Sequence, residues 1–323
     1  MDKTLVEKIN NSALENKLYE FFKDNNEFWS SYKFNLKYNY WRGKQSKWSL
    51  AFDGQCLKYI FGIDSPMFCS KYHAAINGGG HEEKKITTLH SSSLLSLLVF
   101  FSVSEDNPIF FNIDGKKVKF TKSEFEVKNE VCENSNNYSN VDVVLYGNDS
   151  VLYLESKFSE YLTEQSKEVK RVKYYDDIYE RLSEALTASG VRLDDNAKGK
   201  RVLCKATNKP VYCEGLKQMI SHYLGVVTEI QRDDNFKGKQ IFLGEIVFDF
   251  GKLLNASYKL DSYKEAYEHL KEGLQNCVKD DIKGKDVKLT IMDMMTYQSV
   301  LGLDDNRDFL KNMSEKIKQY YRF

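Results

Sequence analysis

Two short apolar segments carry ionisable side chains at positions where an inert strand would carry none. Val141-Asp142-Val143-Val144-Leu145 is followed by the hairpin-turn residues Gly147-Asn148-Asp149-Ser150. Then comes Val151-Leu152-Tyr153-Leu154-Glu155-Ser156-Lys157-Phe158. In an extended strand Tyr153, Glu155 and Lys157 share one face, and Leu152, Leu154, Ser156 and Phe158 share the other. Antiparallel pairing through the tight turn brings Asp142 beside Glu155 and Lys157. Two carboxylates and an ammonium on a half-buried strand are costly unless something compensates them. A divalent cation held by Asp142, Glu155 and a strand carbonyl, that of Ser156, would do so. Mg2+ (or Mn2+) suits such a site because it favours oxygen ligands and retains waters. Lys157 then stands where it could orient or deprotonate a water for attack on a phosphodiester. The competing reading of the same three residues is a cross-strand salt bridge without chemistry.

The elements that must position these residues follow from periodicity. The first ~30 residues place Leu5, Ile9, Leu14, Leu18 and Phe21/Phe22 at helical spacing. Residues 30–80 are aromatic-rich and irregular, ending at Asn77-Gly78-Gly79-Gly80. The Ser/Thr cluster from Thr87 to Ser93 suits a helix cap, and the apolar run LLSLLVFF after it reads as a mostly buried helix. From about 109 to 158 the period changes to two, in short β-rich segments separated by turns. A charged helical insertion follows, containing YYDDIYERLSEAL. Next come a helix over GLKQMISHYLGVVTEI and a strand over QIFLGEIVFDF. The C-terminal stretch reads as amphipathic helices, so the order suggests an α/β core with helical flanks.

With Asp142 on one core strand and Glu155-Ser156-Lys157 on the next, the sequence resembles the PD-(D/E)XK nuclease superfamily. The resemblance implies a restriction-endonuclease-like core (αβββαβ, a mixed sheet flanked by helices) over residues 86–250. A helical insertion would occupy 160–214. An N-terminal helical, aromatic-rich region (1–85) and a C-terminal helical region (251–323) would lie outside it. It implies metal-dependent hydrolysis of DNA phosphodiester bonds, with defence against foreign DNA as the setting. Asp142, Glu155, Lys157 and Gln218 would be the catalytic set, and Asp142, Glu155 and the Ser156 carbonyl the metal ligands. Many members add a further Glu. Glu126, Glu130 and Glu133 are candidates here, and Glu130 is taken as the additional ligand. Members with a Q-x-x-x-Y motif would carry Tyr at 222, whereas this chain has His222 followed by Tyr223. Cutting both strands commonly uses two such sites, which suggests a homodimer. An RNA- or structure-directed nuclease, or a non-catalytic binding module on the same fold, is the alternative.

Context singles out this E-x-K among several. Glu15-Asn16-Lys17, Glu83-Lys84-Lys85, Glu126-Val127-Lys128 and Glu168-Val169-Lys170 also match. Asp114, ahead of Glu126, sits in the turn signal Asp114-Gly115. Only Glu155 and Lys157 occupy an apolar strand with an acid on its neighbour.

The 47 Lys+Arg residues balance 47 Asp+Glu, which excludes indiscriminate charge-driven coating of nucleic acid or membrane. The balance is local rather than uniform. Between Glu27 and Asp53 there is no acid, while Lys33, Lys37, Arg42, Lys44 and Lys47 interleave with Phe34, Tyr38, Tyr40, Trp41 and Trp48. Lys33, Lys37, Trp41, Arg42, Lys44 and Lys47 suit phosphate contacts and base stacking; an amphipathic segment whose rings belong to the core fits the same pattern. The run KEVKRVK (Lys167–Lys173) reads as a solvated helix face.

Gly78-Gly79-Gly80-His81 lacks the ending of a P-loop. His73, His81, His90, His222 and His269 show no paired-ligand spacing, though His90 and His222 are near enough in the pattern to approach the site. The six cysteines form no C-x-x-C pair, the longest apolar stretch is too short to span a membrane, and the N-terminus has no signal-like core. A cytoplasmic protein is expected.

Overall fold

The helix expected after the serine cluster forms where its cap residue predicts. The Ser91 side chain accepts the Leu94 backbone N–H at 3.0 Å, and every residue from Leu94 to Phe100 is buried. The computed structural model describes residues 61–63, 65–77, 91–131, 138–162, 176–196, 199–204, 214–251 and 257–323, with strand pieces at 40–41, 44–45 and 168–169. The first of these are the paired fragments β1 (Tyr40–Trp41) and β2 (Lys44–Gln45), then α1 (Pro66–Asn77) and α2 (Ser92–Phe100). Next are β3 (Ile109–Ile113), β4 (Lys116–Phe120), β5 (Lys122–Glu130), β6 (Tyr138–Tyr146) and β7 (Ser150–Lys157). The insertion contributes β8 (Glu168–Val169), α3 (Asp176–Ala188), β9 (Val191–Asn196) and β10 (Gly199–Cys204). It is followed by α4 (Glu214–Arg232), β11 (Gln240–Val247), α5 (Ser257–Asp281), β12 (Lys288–Ile291) and β13 (Met295–Thr296). Three short helices follow: α6 (Tyr297–Leu301), α7 (Arg307–Asn312) and α8 (Glu315–Tyr321).

The main sheet runs β12-β11-β7-β6-β5, with β13 also on β11. Strands β5, β6 and β7 form an antiparallel meander, whereas β11 runs parallel to β7, and β12 and β13 run parallel to β11. A parallel neighbour needs a crossover, and α4 supplies it, packing over β5, β6 and β7 on the way. Close approach of α4 to β5 depends on Gly225, where a Cβ would come within 2.9 Å of the Asn129 Cβ. The order α2-β5-β6-β7-α4-β11, in a mixed sheet covered by helices, is compatible with a restriction-endonuclease-like core.

Several expectations change. The strand bearing Glu155 and Lys157 is not half-buried: all eight residues of β7 are buried. It is central in the sheet, with α2 against one face and α4 against the other. The insertion is not simply helical. Around α3, β8, β10 and β9 form their own antiparallel sheet, with Val202 opposite Leu193 and Cys204 opposite Val191. Glu168–Val169, read as part of a solvated helix face, is instead strand β8; the other residues of KEVKRVK lie outside the described residues. The C-terminal region is not a purely helical addition either. Its KLTI segment alternates apolar side chains and pairs with β11, so it extends the core sheet. The first 30 residues and the Gly78–Gly80 segment lie outside the described residues.

Candidate active site

Strand alternation puts Val144, Tyr153, Glu155 and Lys157 on the sheet face that α4 covers, and Asp142 stands beside them where the ladders part. The ladders open at Asp142. The last β6–β7 pair is Val143–Leu154, and in the β5–β6 ladder Phe125–Val143 and Val127–Val141 flank a break opposite Asp142. Glu126 stands in that break with φ +51°. A non-glycine residue held there costs about 1–3 kcal/mol of strain, which the surrounding structure must offset. In the opening, Asp142 Oδ2 accepts the Ser156 N–H at 2.8 Å. Lys157's carbonyl accepts from Phe248 on the β11 side, so backbone alternation turns the Ser156 carbonyl toward the Asp142 side.

Glu155, 1% exposed, uses both carboxylate oxygens: Oε1 accepts from Lys157 Nζ, and Oε2 is 2.6 Å from His222 Nε2. Lys157, 3% exposed, also donates to Gln218 Oε1 at 2.8 Å. Gln218 and His222 are one turn apart on α4, so a single helix face reaches both ends of the E-x-K pair. His222 Nδ1 in turn meets Ser139 Oγ on β6. On the opposite face, Ser156 Oγ shares a 2.7 Å hydrogen bond with the Tyr297 hydroxyl and donates to the Ser92 carbonyl at 3.2 Å.

The charges are unevenly matched. Burial pushes the Glu155 carboxyl up, but Lys157 and His222 overcome it and hold it down at about 2. Burial would strip the proton from Lys157; Glu155, Glu160, Glu245 and Asp142 together outweigh it and hold the ammonium well above its ordinary range. Asp142 goes the other way. Burial first, then the neighbouring carboxylates Glu155 and Glu126, push it well above the usual carboxylate range. Glu245, facing Glu155 across the β7–β11 ladder, is pushed by burial up to about 8. Lys157 and the Tyr263 hydroxyl offset only part of that.

A divalent cation fits this donor set. Asp142 and Glu126 supply hard oxygens whose mutual repulsion a cation would relieve, and the Ser156 carbonyl faces the same gap. Among the described residues no three His, Cys, Asp or Glu side chains form a cage by themselves. Mg2+ does not require one, since it is commonly held by one or two carboxylates with waters and substrate oxygens.

Of the residues expected from sequence, Asp142, Glu155, Lys157, Gln218 and the Ser156 backbone converge here. Glu130 does not. It lies four residues along β5 from Glu126, roughly 13 Å at strand rise, and its Oε2 pairs with Arg232 Nη1 at 2.5 Å. Glu126 takes the place opposite Asp142, where Ser93 Oγ donates to its Oε1 at 3.2 Å. Lys33, Lys37, Arg42 and Lys47 lie outside the described residues. For Trp41 and Lys44 only the backbone pairing of β1 with β2 is described. His222, read from sequence as able to approach the site, reaches it; Ser139 and Glu245 join it without having been expected there. The i, i+4 spacing of Gln218 and His222 on one helix is what brings His222 there.

No match was found among curated proteins or among solved structures. A family model does match: residues 28–233 fit the family described as restriction endonuclease associating with ARP, a span that takes in the strands bearing Asp142, Glu155 and Lys157 and all of α4. With well over half of the chain matched and the E-x-K pair inside the matched span, the chain belongs to this restriction-endonuclease-like family.

Proposed function

We propose that the chain is a divalent-metal-dependent nuclease of the PD-(D/E)XK type that hydrolyses DNA phosphodiester bonds, acting in defence against foreign DNA. The observation that carries this reading is the convergence of Asp142, Glu155 and Lys157 in the gap where the β6 and β7 ladders part. A bound Mg2+ or Mn2+ would supply Lewis acidity toward a phosphate oxygen and a nucleophilic water. Asp142, Glu155 and the Ser156 carbonyl would hold it, joined by Glu126 in the place first given to Glu130.

The remaining chemistry belongs to the side chains. Lys157 stays protonated among its carboxylates, so it acts as a fixed positive charge and not as a base. It orients the attacking water and stabilises charge on the phosphorane-like transition state. Gln218 fixes the ammonium from the α4 side, which limits reorganisation as that charge develops.

Plasmid DNA incubated with Mg2+ or Mn2+ tests the reading, beside Asp142→Ala and Lys157→Ala. Wild type should cut and each variant should lose at least a hundredfold in rate. Equal cutting by all three proteins would remove these residues from the chemistry. Cleavage of RNA but not DNA would redirect the substrate, and a protein that cuts neither would be a binding module on this fold.

A further inference from the structure

The nuclease reading uses Glu155 without explaining what holds its second oxygen. The holder is a buried chain that runs away from Lys157. His222, 2% exposed, places Nε2 2.6 Å from Glu155 Oε2, and its other nitrogen meets the Ser139 hydroxyl. Ser139 lies directly across the β5–β6 ladder from Asn129, whose buried Nδ2 has no acceptor. The Asn129 amide therefore does not draw on the Ser139 oxygen. An ionised carboxylate only accepts, so the proton between His222 and Glu155 sits on Nε2, which leaves Nδ1 to accept from the Ser139 hydroxyl.

We propose that His222 is a positioning residue for Glu155 and that Ser139 fixes its tautomer: Ser139 O–H donates to Nδ1, and Nε2–H donates to Glu155 Oε2. The inference rests on the nuclease reading for its consequence, but its geometry stands on its own. Glu155 is thereby clamped at both oxygens by α4-facing groups, Lys157 on one side and the imidazole on the other. Its carboxylate plane, and so the charge it presents beside Asp142, is set by a residue that need not touch substrate. Supporting groups of this kind typically change metal affinity or activity by about 10–100-fold when removed.

Two conservative replacements separate positioning from bulk. In His222→Gln the amide nitrogen occupies the place of Nε2 and keeps the donor to Glu155. In His222→Asn the amide reaches only as far as Nδ1, so Ser139 keeps a partner and Glu155 loses one. The divalent concentration for half-maximal cleavage should rise about 10–100-fold in H222N, and H222Q should restore most of that loss. Melting temperatures of the two variants should fall together. A purely structural histidine would make H222Q and H222N alike in both readouts, which overturns the proposal.

The second readout needs no activity. In 15N-resolved spectra, the resonances absent from H222N should report a ring that carries its proton on Nε2 and accepts at Nδ1, and Ser139→Ala should mix its tautomers. A ring protonated at Nδ1 overturns the inference even if the enzyme cuts DNA. An Nε2–H ring in a protein that cuts nothing would leave the clamp standing and remove the nuclease reading.

Discussion

Glu155 and Glu245 face one another across the parallel β7–β11 ladder, yet they hold opposite protonation states at neutral pH. Lys157 and His222 keep Glu155 ionised against the effect of burial. Glu245, with one oxygen on Tyr263 and the other without a partner, retains its proton until about pH 8. Two adjacent buried carboxyls are tolerable because only one of them is charged.

A pH-dependent stability follows from Glu245. Its carboxyl rises from the ordinary 4.5 to about 8, so the folded chain binds this proton more tightly than the unfolded chain. The stabilisation is complete below pH 4.5 and is lost as pH rises through about 8. At 1.36 kcal/mol per pKa unit the loss is of the order of 5 kcal/mol. Glu245→Gln cannot titrate. Denaturant melts of wild type and E245Q should therefore diverge steadily from about pH 5 to about pH 8, with wild type falling faster, and run parallel above that. Curves parallel throughout would place the proton elsewhere.

The Glu155–Lys157 pair should behave as a unit. Removing one partner of a buried pair leaves an uncompensated charge and costs about 3–5 kcal/mol. Lys157→Met and Glu155→Gln are each expected to destabilise by roughly that amount. The double variant should recover part of the loss, because no lone charge remains. Additive losses in urea unfolding would mean that the two side chains act independently.

At Glu126 backbone and side chain can be tested apart. Glycine accepts φ +51° without the penalty that alanine pays there, so Glu126→Gly should be more stable than Glu126→Ala by about 1 kcal/mol. Both lack the carboxylate facing Asp142, and both should lose cleavage to a similar extent. Full activity in either variant would remove Glu126 from the cation's ligands.

The parts of this site readable in sequence were those fixed by period-two patterning over a short range. Asp142, Glu155 and Lys157 lie on strands joined by a tight turn, so local pattern alone brings them together. Gln218 came from the family resemblance, which implies a polar residue on the helix after the E-x-K strand. What escaped depended on geometry beyond local pattern. Glu126 and Glu130 are four residues apart on β5 and look equivalent in sequence; a single left-handed residue opposite Asp142 separates them. Glu245 meets Glu155 only through a parallel register set by the α4 crossover, and no short-range signal encodes that register. The KLTI strand is four residues long between helical segments, too short to assert a period of its own.

The hydrogen bond between Ser156 and Tyr297 has a consequence for the order in which this protein comes into being. Residue 156 and residue 297 are far apart on the message, and β7 is flanked by β11, which is itself flanked by β12 and β13. A ribosome that has just added Lys157 has made Glu126, Asp142 and Glu155 and the α2 side of their enclosure, but neither α4 nor β11. Contacts of such long sequence separation form late. On the proposed nuclease reading, cutting competence arrives only after Tyr297 has emerged, and a prematurely terminated chain would carry Asp142, Glu155 and Lys157 without the contacts that position them.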